Sequence, residues 1–252
     1  MAFATGVLGD GSSADPGDAL AFAAFALARR CSVGATMWCV APEWREHARH
    51  VAVEFVHPVI LGKPALAAVS VDAPDLVSSL RPLVAPGDVV IAIGAATDRV
   101  VRDIVRRAVA WGAMSIWIGA GERPERGAAD HVLWVDDDAA SAAHDGRLVF
   151  QYHVLWELTH VCLEHAGLLA APPEVCDPVE AVCVTCSDEG RLAEVITADG
   201  TTASVRTPSG YETVDTTIIP PVCPGDLLLI HAGTAIALLD DDAVVAPGVG
   251  AR

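Results

Sequence analysis

At 252 residues, with 52% hydrophobic and only 19% charged side chains, the chain has apolar material for one large domain or two ordinary ones, which argues against global disorder. A net charge of −17, from 33 acidic against 16 basic residues, creates a field that repels nucleic-acid phosphates and anionic lipid headgroups, so neither is expected as a partner. The most apolar window, 19–28, is well short of the ~20 residues a bilayer span requires, and the first residues have no basic lead, so the chain is expected to be cytoplasmic with reduced cysteines.

In chain order, the first predicted element is a helix over 15–31, with Ser13 or Asp15 as its N-cap and Pro16 in its first turn. Short apolar runs then alternate with helical ones: buried strands over 35–40, 65–71, 89–93, 115–118 and 132–135, and helices over 45–57, 97–111 and 147–165. That alternation predicts a parallel sheet covered by helices, a three-layer α/β domain spanning 1–168. Pro172, Pro173 and Pro178 stiffen the next stretch and mark 169–180 as a linker. Beyond it, segments rich in Val, Thr and Ile are separated by turn signals at Asp199-Gly200, Pro208-Ser209-Gly210 and Pro224-Gly225-Asp226. These predict a small β-barrel of the OB type over 181–242, followed by a tail, 243–252.

The polar exceptions to these patterns carry the candidate chemistry. Cys31, Cys39 and Cys162 lie in apolar runs and read as core residues, whereas Cys176, Cys183, Cys186 and Cys223 fall near prolines and turns. Cys183-Val184-Thr185-Cys186 holds two thiols at a spacing that suits a soft metal or redox exchange; the competing reading gives them no shared role. His231 follows a predicted strand and precedes Ala232-Gly233, so its imidazole stands at a strand end, either turned toward a site or hydrogen-bonded in the core. A structural zinc held by Cys176, Cys183, Cys186 and Cys223 is a further arrangement, disfavoured because the four contain only one close pair.

The run Val214-Asp215-Thr216-Thr217-Ile218, then Pro224-Gly225-Asp226-Leu227-Leu228-Leu229-Ile230-His231-Ala232-Gly233-Thr234-Ala235-Ile236-Ala237, ending in Asp240, resembles the HypC/HupF hydrogenase-maturation chaperones. What they share is a glycine turn, an apolar strand, His-x-Gly and a second apolar strand, in one order. The resemblance implies a scaffold that accepts an iron centre bearing cyanide and carbon monoxide, Fe(CN)2CO, and passes it to the large-subunit precursor of a nickel-iron hydrogenase. It also implies a partnership with the maturation protein that assembles this centre. The family's functional pair, an N-terminal cysteine and a downstream histidine, carries over to Cys183 and His231. Here Cys183 is internal and Cys186 is an additional thiol, so either can be the ligand, with Cys183 first by register. A thiolate and an imidazole can hold low-spin iron while leaving positions open for diatomic ligands.

Two predicted helices offer a second constellation. His47, His50, Glu54 and His57 recur at intervals of three or four on one, and His153, Glu157, His160 and Glu164 do so on the other. If those faces meet, they build an acid/base pair or a site for zinc or another divalent metal; turned outward, they are ordinary solvated faces. The segments Ala48-Arg49-His50-Val51-Ala52-Val53-Glu54-Phe55 and Lys63-Pro64-Ala65-Leu66-Ala67-Ala68-Val69-Ser70 resemble the phosphoheptose isomerases of the sugar-isomerase (SIS) superfamily, a similarity that spans most of 33–165. It implies an SIS-like domain that forms a homodimer, with His50, Glu54 and His160 as counterparts of that family's helix residues. The loops depart from the family. Where hydroxyls and backbone N–H groups must surround a phosphate, this chain has Ala41-Pro42-Glu43-Trp44-Arg45 and Gly94-Ala95-Ala96-Thr97-Asp98, whose carboxylates repel a dianion.

The expectation is a two-domain accessory protein that is not itself an enzyme. Cys183, Cys186 and His231 would handle the iron cargo, and His50, Glu54, His153, Glu157 and His160 form a possible second metal site. The alternative is a metal-dependent sugar-phosphate isomerase or another ligand-binding SIS protein.

Overall fold

The computed structural model describes residues 16–136, 139–142, 144, 146–169 and 190–239. Ser13 and Asp15, the expected linker beyond residue 169, the cysteines 176, 183 and 186, and the tail 243–252 lie outside the described residues.

Pro16 opens α1 (Pro16–Ser32), where its missing N–H is harmless. There follow β1 (Met37–Val40), α2 (Arg45–Val56), β2 (Ala68–Ser70), α3 (Leu76–Leu80), β3 (Val89–Ile93), α4 (Arg99–Ala110), β4 (Met114–Ala120), β5 (His131–Val135), α5 (Ala139–Ala142), α6 (Arg147–Glu164) and α7 (Ala166–Leu169). The five strands form one parallel sheet in the order β2-β1-β3-β4-β5. Every residue of β3 and β4 is buried, as continuous apolar strands must be when helices cover both faces.

Successive side chains of β3 divide between two cores. Val89, Ile91 and Ile93 pack with Leu27 of α1, Phe55 of α2 and Leu155 of α6. Val90 and Ala92 pack on the other face with Leu80 of α3 and Ile104 of α4. The result is the expected three-layer α/β domain. α3 is an addition to the predicted elements: five residues are too few to show a helical period, and its start is set by Asp75, whose carboxylate accepts from the Ser78 amide at 3.0 Å.

The C-terminal strands β6 (Arg191–Asp199), β7 (Thr202–Thr207), β8 (Gly210–Asp215), β9 (Leu227–His231) and β10 (Thr234–Leu239) close into a barrel in the order β10-β8-β7-β6-β9. Register shifts at Val195/Thr197 and at Ala235/Ala237 give the strands the bend that closure requires. The small OB-like barrel expected from the turn spacing is thus present, with its own core around Val195, Val205, Leu228 and Ile230. It meets the α/β domain at the α3–α4 layer, where Glu194 of β6 engages Arg81, Arg107 and Trp111. No helix among the described residues is long and apolar enough to cross a membrane.

Candidate metal-binding sites

β9 ends at His231, and the chain reverses through Ala232 and Gly233 into β10, with His231 paired opposite Thr234. Both turn residues have positive φ, 47° and 79°, the geometry whose twist matches a tight hairpin. Ala232 is the one non-glycine with positive φ among the described residues, a conformation that costs about 1 kcal/mol for an L side chain. The Asp215 amide donates to the Gly233 carbonyl at 2.9 Å, which ties the turn to β8. His231, half-buried, therefore sits beside a strained turn fixed from two strands.

The chain enters the barrel at the same place. Arg191 of β6 pairs with Ile230 of β9, so the antiparallel register continued by one residue puts Gly190 opposite His231. A Cβ at Gly190 would lie 3.1 Å from Leu229 Cδ1, which makes this approach suited to glycine. Cys183 and Cys186 lie outside the described residues. Cys186 is four residues from Gly190, so the chain between them spans at most about 14 Å. Cys223, by contrast, is exposed and precedes Leu227, at the other end of β9 from His231.

The second constellation lies between α2 and α6. His50 Nε2 is 3.3 Å from Glu54 Oε1 and 3.3 Å from His153 Nε2, and His153 Nε2 is 3.7 Å from Glu54 Oε1. One ligand atom from each residue thus falls within 4.8 Å of the others, close enough to share an ion. The i,i+4 spacing on α2 supplies the first pair, and the Trp156 indole, donating to the Glu54 carbonyl at 2.8 Å, locks α6 against it. Tyr152 Oη lies 2.9 Å from His50 Nδ1 and 3.3 Å from His47 Nδ1. A tautomer that donates from Nδ1 to Tyr152 leaves the Nε2 lone pair of His50 facing Glu54 and His153. Burial, and then the Glu54 charge, push the Tyr152 phenol up to about 12, so it stays a neutral hydroxyl.

The other two expected residues go elsewhere. His160 is buried, stacks on Phe55, and has Nδ1 2.9 Å from the Trp156 carbonyl and Nε2 3.1 Å from the Pro64 carbonyl. Glu157 is taken up with Glu164 by Lys63, each at 3.2 Å. Burial pushes the Cys31 thiol up to about 11 and Cys39 to about 12, which keeps both protonated, as core thiols are.

At the carboxyl ends of the strands, where α/β sheets bind ligands, lies a crevice of about 530 Å³ lined by Ala95, Ala96, Thr97, Gly121, Glu122 and Asp136 among others. The α4 N-terminus is already capped: Asp98 Oδ1 accepts from the Val100 and Val101 amides at 2.9 and 3.2 Å. A phosphate at this helix end would have to displace a carboxylate, so the geometry disfavours an anion at the α4 N-terminus.

The two histidine sites belong to different parts of the molecule. The α2–α6 cluster adjoins the core that covers one face of the sheet, whereas the barrel meets the helices on the other face.

The HupF/HypC family model matches residues 191–245, a span that includes His231 and excludes Cys183 and Cys186. No curated protein matches the chain. Solved structures similar to it include a phosphoheptose isomerase from Francisella tularensis, at 16% identity over 57% of this chain and 86% of that one, with a TM-score of 0.49. A phosphoheptose isomerase from Neisseria gonorrhoeae is 16% identical over 59% of this chain and 86% of its own, with a TM-score of 0.45. The sugar isomerase domain of an RpiR transcription factor from Sphaerobacter thermophilus is 15% identical over 59% and 83%, with a TM-score of 0.43. Likeness at these levels assigns no activity. The family match covers all five strands of the barrel, so the similarity to the HupF/HypC family lies in the barrel and not in the α/β domain.

Proposed function

We propose that this chain is a hydrogenase-maturation chaperone that carries an Fe(CN)2CO centre to the large-subunit precursor of a nickel-iron hydrogenase, holding the cargo between His231 and the thiol of Cys183 or Cys186. The observation that carries the reading is the family match over the barrel, inside which His231 stands beside the point where the cysteine-bearing segment joins. Iron is cargo here, so it must be released as well as held. Two protein ligands on a half-open hairpin end suit release better than a closed four-ligand cage. The α/β domain acts as an accessory platform in this reading.

Affinity capture of the full chain from hydrogenase-expressing cells tests this. Wild type is expected to retain hydrogenase precursor and iron, with at least tenfold less in His231→Ala and in the double variant Cys183→Ala/Cys186→Ala. Equal recovery from all three contradicts the proposal.

A second reading rests on a separate observation, the convergence of His50, Glu54 and His153. This cluster would hold zinc or another divalent ion resident in the α/β domain, with Tyr152 orienting His50. Calorimetric titration with zinc, in wild type and in Glu54→Gln, decides it.

A further inference from the structure

Each domain buries a charge of its own inside the other. Glu194, on β6 of the barrel, has 0% exposure. Its Oε1 accepts from Arg81 Nε at 3.0 Å, Arg81 Nη2 at 2.8 Å and Arg107 Nη1 at 2.8 Å, and its Oε2 accepts from the Trp111 indole at 2.8 Å. All of these donors belong to the α/β domain. A carboxylate taken wholly out of water is tolerated only when its oxygens are met in this way. Arg107 is itself steadied by Asp103 at 2.8 Å and also donates to the Gly225 carbonyl of the barrel.

The reverse crossing is made by Arg206 of β7, 5% exposed, which donates to the carbonyls of Arg81, Val84 and Trp111 and lies 5.8 Å from the Trp111 ring. The backbones also meet: a Cβ at Gly112 would stand 3.1 Å from Pro208 Cα, so a side chain there would push the barrel off.

From these contacts we infer that the barrel is clamped to the α/β domain in a single orientation, so that the two behave as one rigid body and present His231 in a fixed direction. Glu194 pairs with Leu227, the first residue of β9, and His231 is the last, about 13 Å further along the strand. The clamp therefore grips one end of β9 while the histidine occupies the other. A partner reaches the cargo histidine from the end opposite the clamp. The clamp is independent of what His231 carries, so its failure and that of the chaperone reading are separate outcomes.

Calorimetry and amide hydrogen exchange on the full chain, comparing wild type with the double variant Arg81→Ala/Arg107→Ala, test the inference. Wild type is expected to unfold in one transition. The variant should show two, with the barrel amides of Val195 and Val205 exchanging about 100-fold faster while Ile91 of β3 keeps its protection, which also shows that the α/β domain still folds. Loss of all barrel protection in the variant alone also supports the clamp. Two transitions in wild type, or a variant indistinguishable from it in both measurements, overturns the inference.

Discussion

The barrel histidine and the α2–α6 cluster set the same side chain in different surroundings. His231 stands at a strand end, beside a strained turn, where the chain also enters the first strand of the barrel. His50 and His153 are set on two rigid helices, with Glu54 between them and Tyr152 behind. Under the proposed function the first would take its second ligand from another segment and hold a cargo that arrives and departs, whereas the second brings three ligand atoms together from two helices and would suit an ion that stays. The contrast teaches that what separates a proposed cargo site from a proposed resident one is how many ligand atoms the fold itself brings together, not the presence of a histidine.

The largest expected effect breaks the comparison if it fails. His231→Ala should lose at least tenfold of the co-purified iron while leaving zinc binding at the α2–α6 cluster unchanged, and Glu54→Gln should do the reverse; metal analysis of both variants by mass spectrometry reads the outcome. Iron lost from Glu54→Gln, with His231 intact, would mean that the barrel histidine is not what retains the iron. Within the cluster, Tyr152→Phe removes the hydroxyl that orients His50 and should weaken zinc about 10-fold without abolishing it, as measured by competition with a chelator.

Smaller effects sharpen the contrast with a phosphate-binding α/β domain. Asp98→Ala removes the α4 cap and should cost about 1 kcal/mol in urea unfolding, with added inorganic phosphate recovering part of the loss as the vacated helix end accepts an anion. If phosphate has no effect, the α4 N-terminus offers no anion site even when uncapped.

The smallest effect concerns a histidine of neither site. Burial lowers the pKa of His131, opposed in part by Asp130, so the unfolded chain takes up this proton first as the pH falls. Its contribution to stability is present above the unfolded value of about 6.5 and is lost as the pH falls through the lower folded value. His131→Asn should flatten that acid slope in thermal melts between about pH 7 and pH 5. A slope equal to wild type would place the proton uptake on other groups.

Much of the architecture could be read locally. The run 89–93 was expected as a buried strand and forms β3 with the same bounds, because five consecutive apolar residues between a turn and a capped helix have few alternatives. The pairing of His50 with Glu54 was equally legible, since helical spacing alone sets it. Which residue of α6 completes the cluster was not. The rotation of α6 against α2 decides it, and that is fixed by long-range contacts such as the Trp156 indole on Glu54 and the Pro64 carbonyl beside His160. The clamp was still less visible. Arg81, Arg107, Glu194 and Arg206 share no local pattern, and the one hint is a carboxylate set between the buried Ala193 and Val195 of β6.

The cargo claim is tested most directly by infrared spectroscopy of the full chain captured from hydrogenase-expressing cells. Wild type is predicted to show C≡N and C≡O stretching bands of bound iron that vanish in His231→Ala and persist in His50→Ala. Absence of the bands from wild type, or their persistence in His231→Ala, contradicts the account.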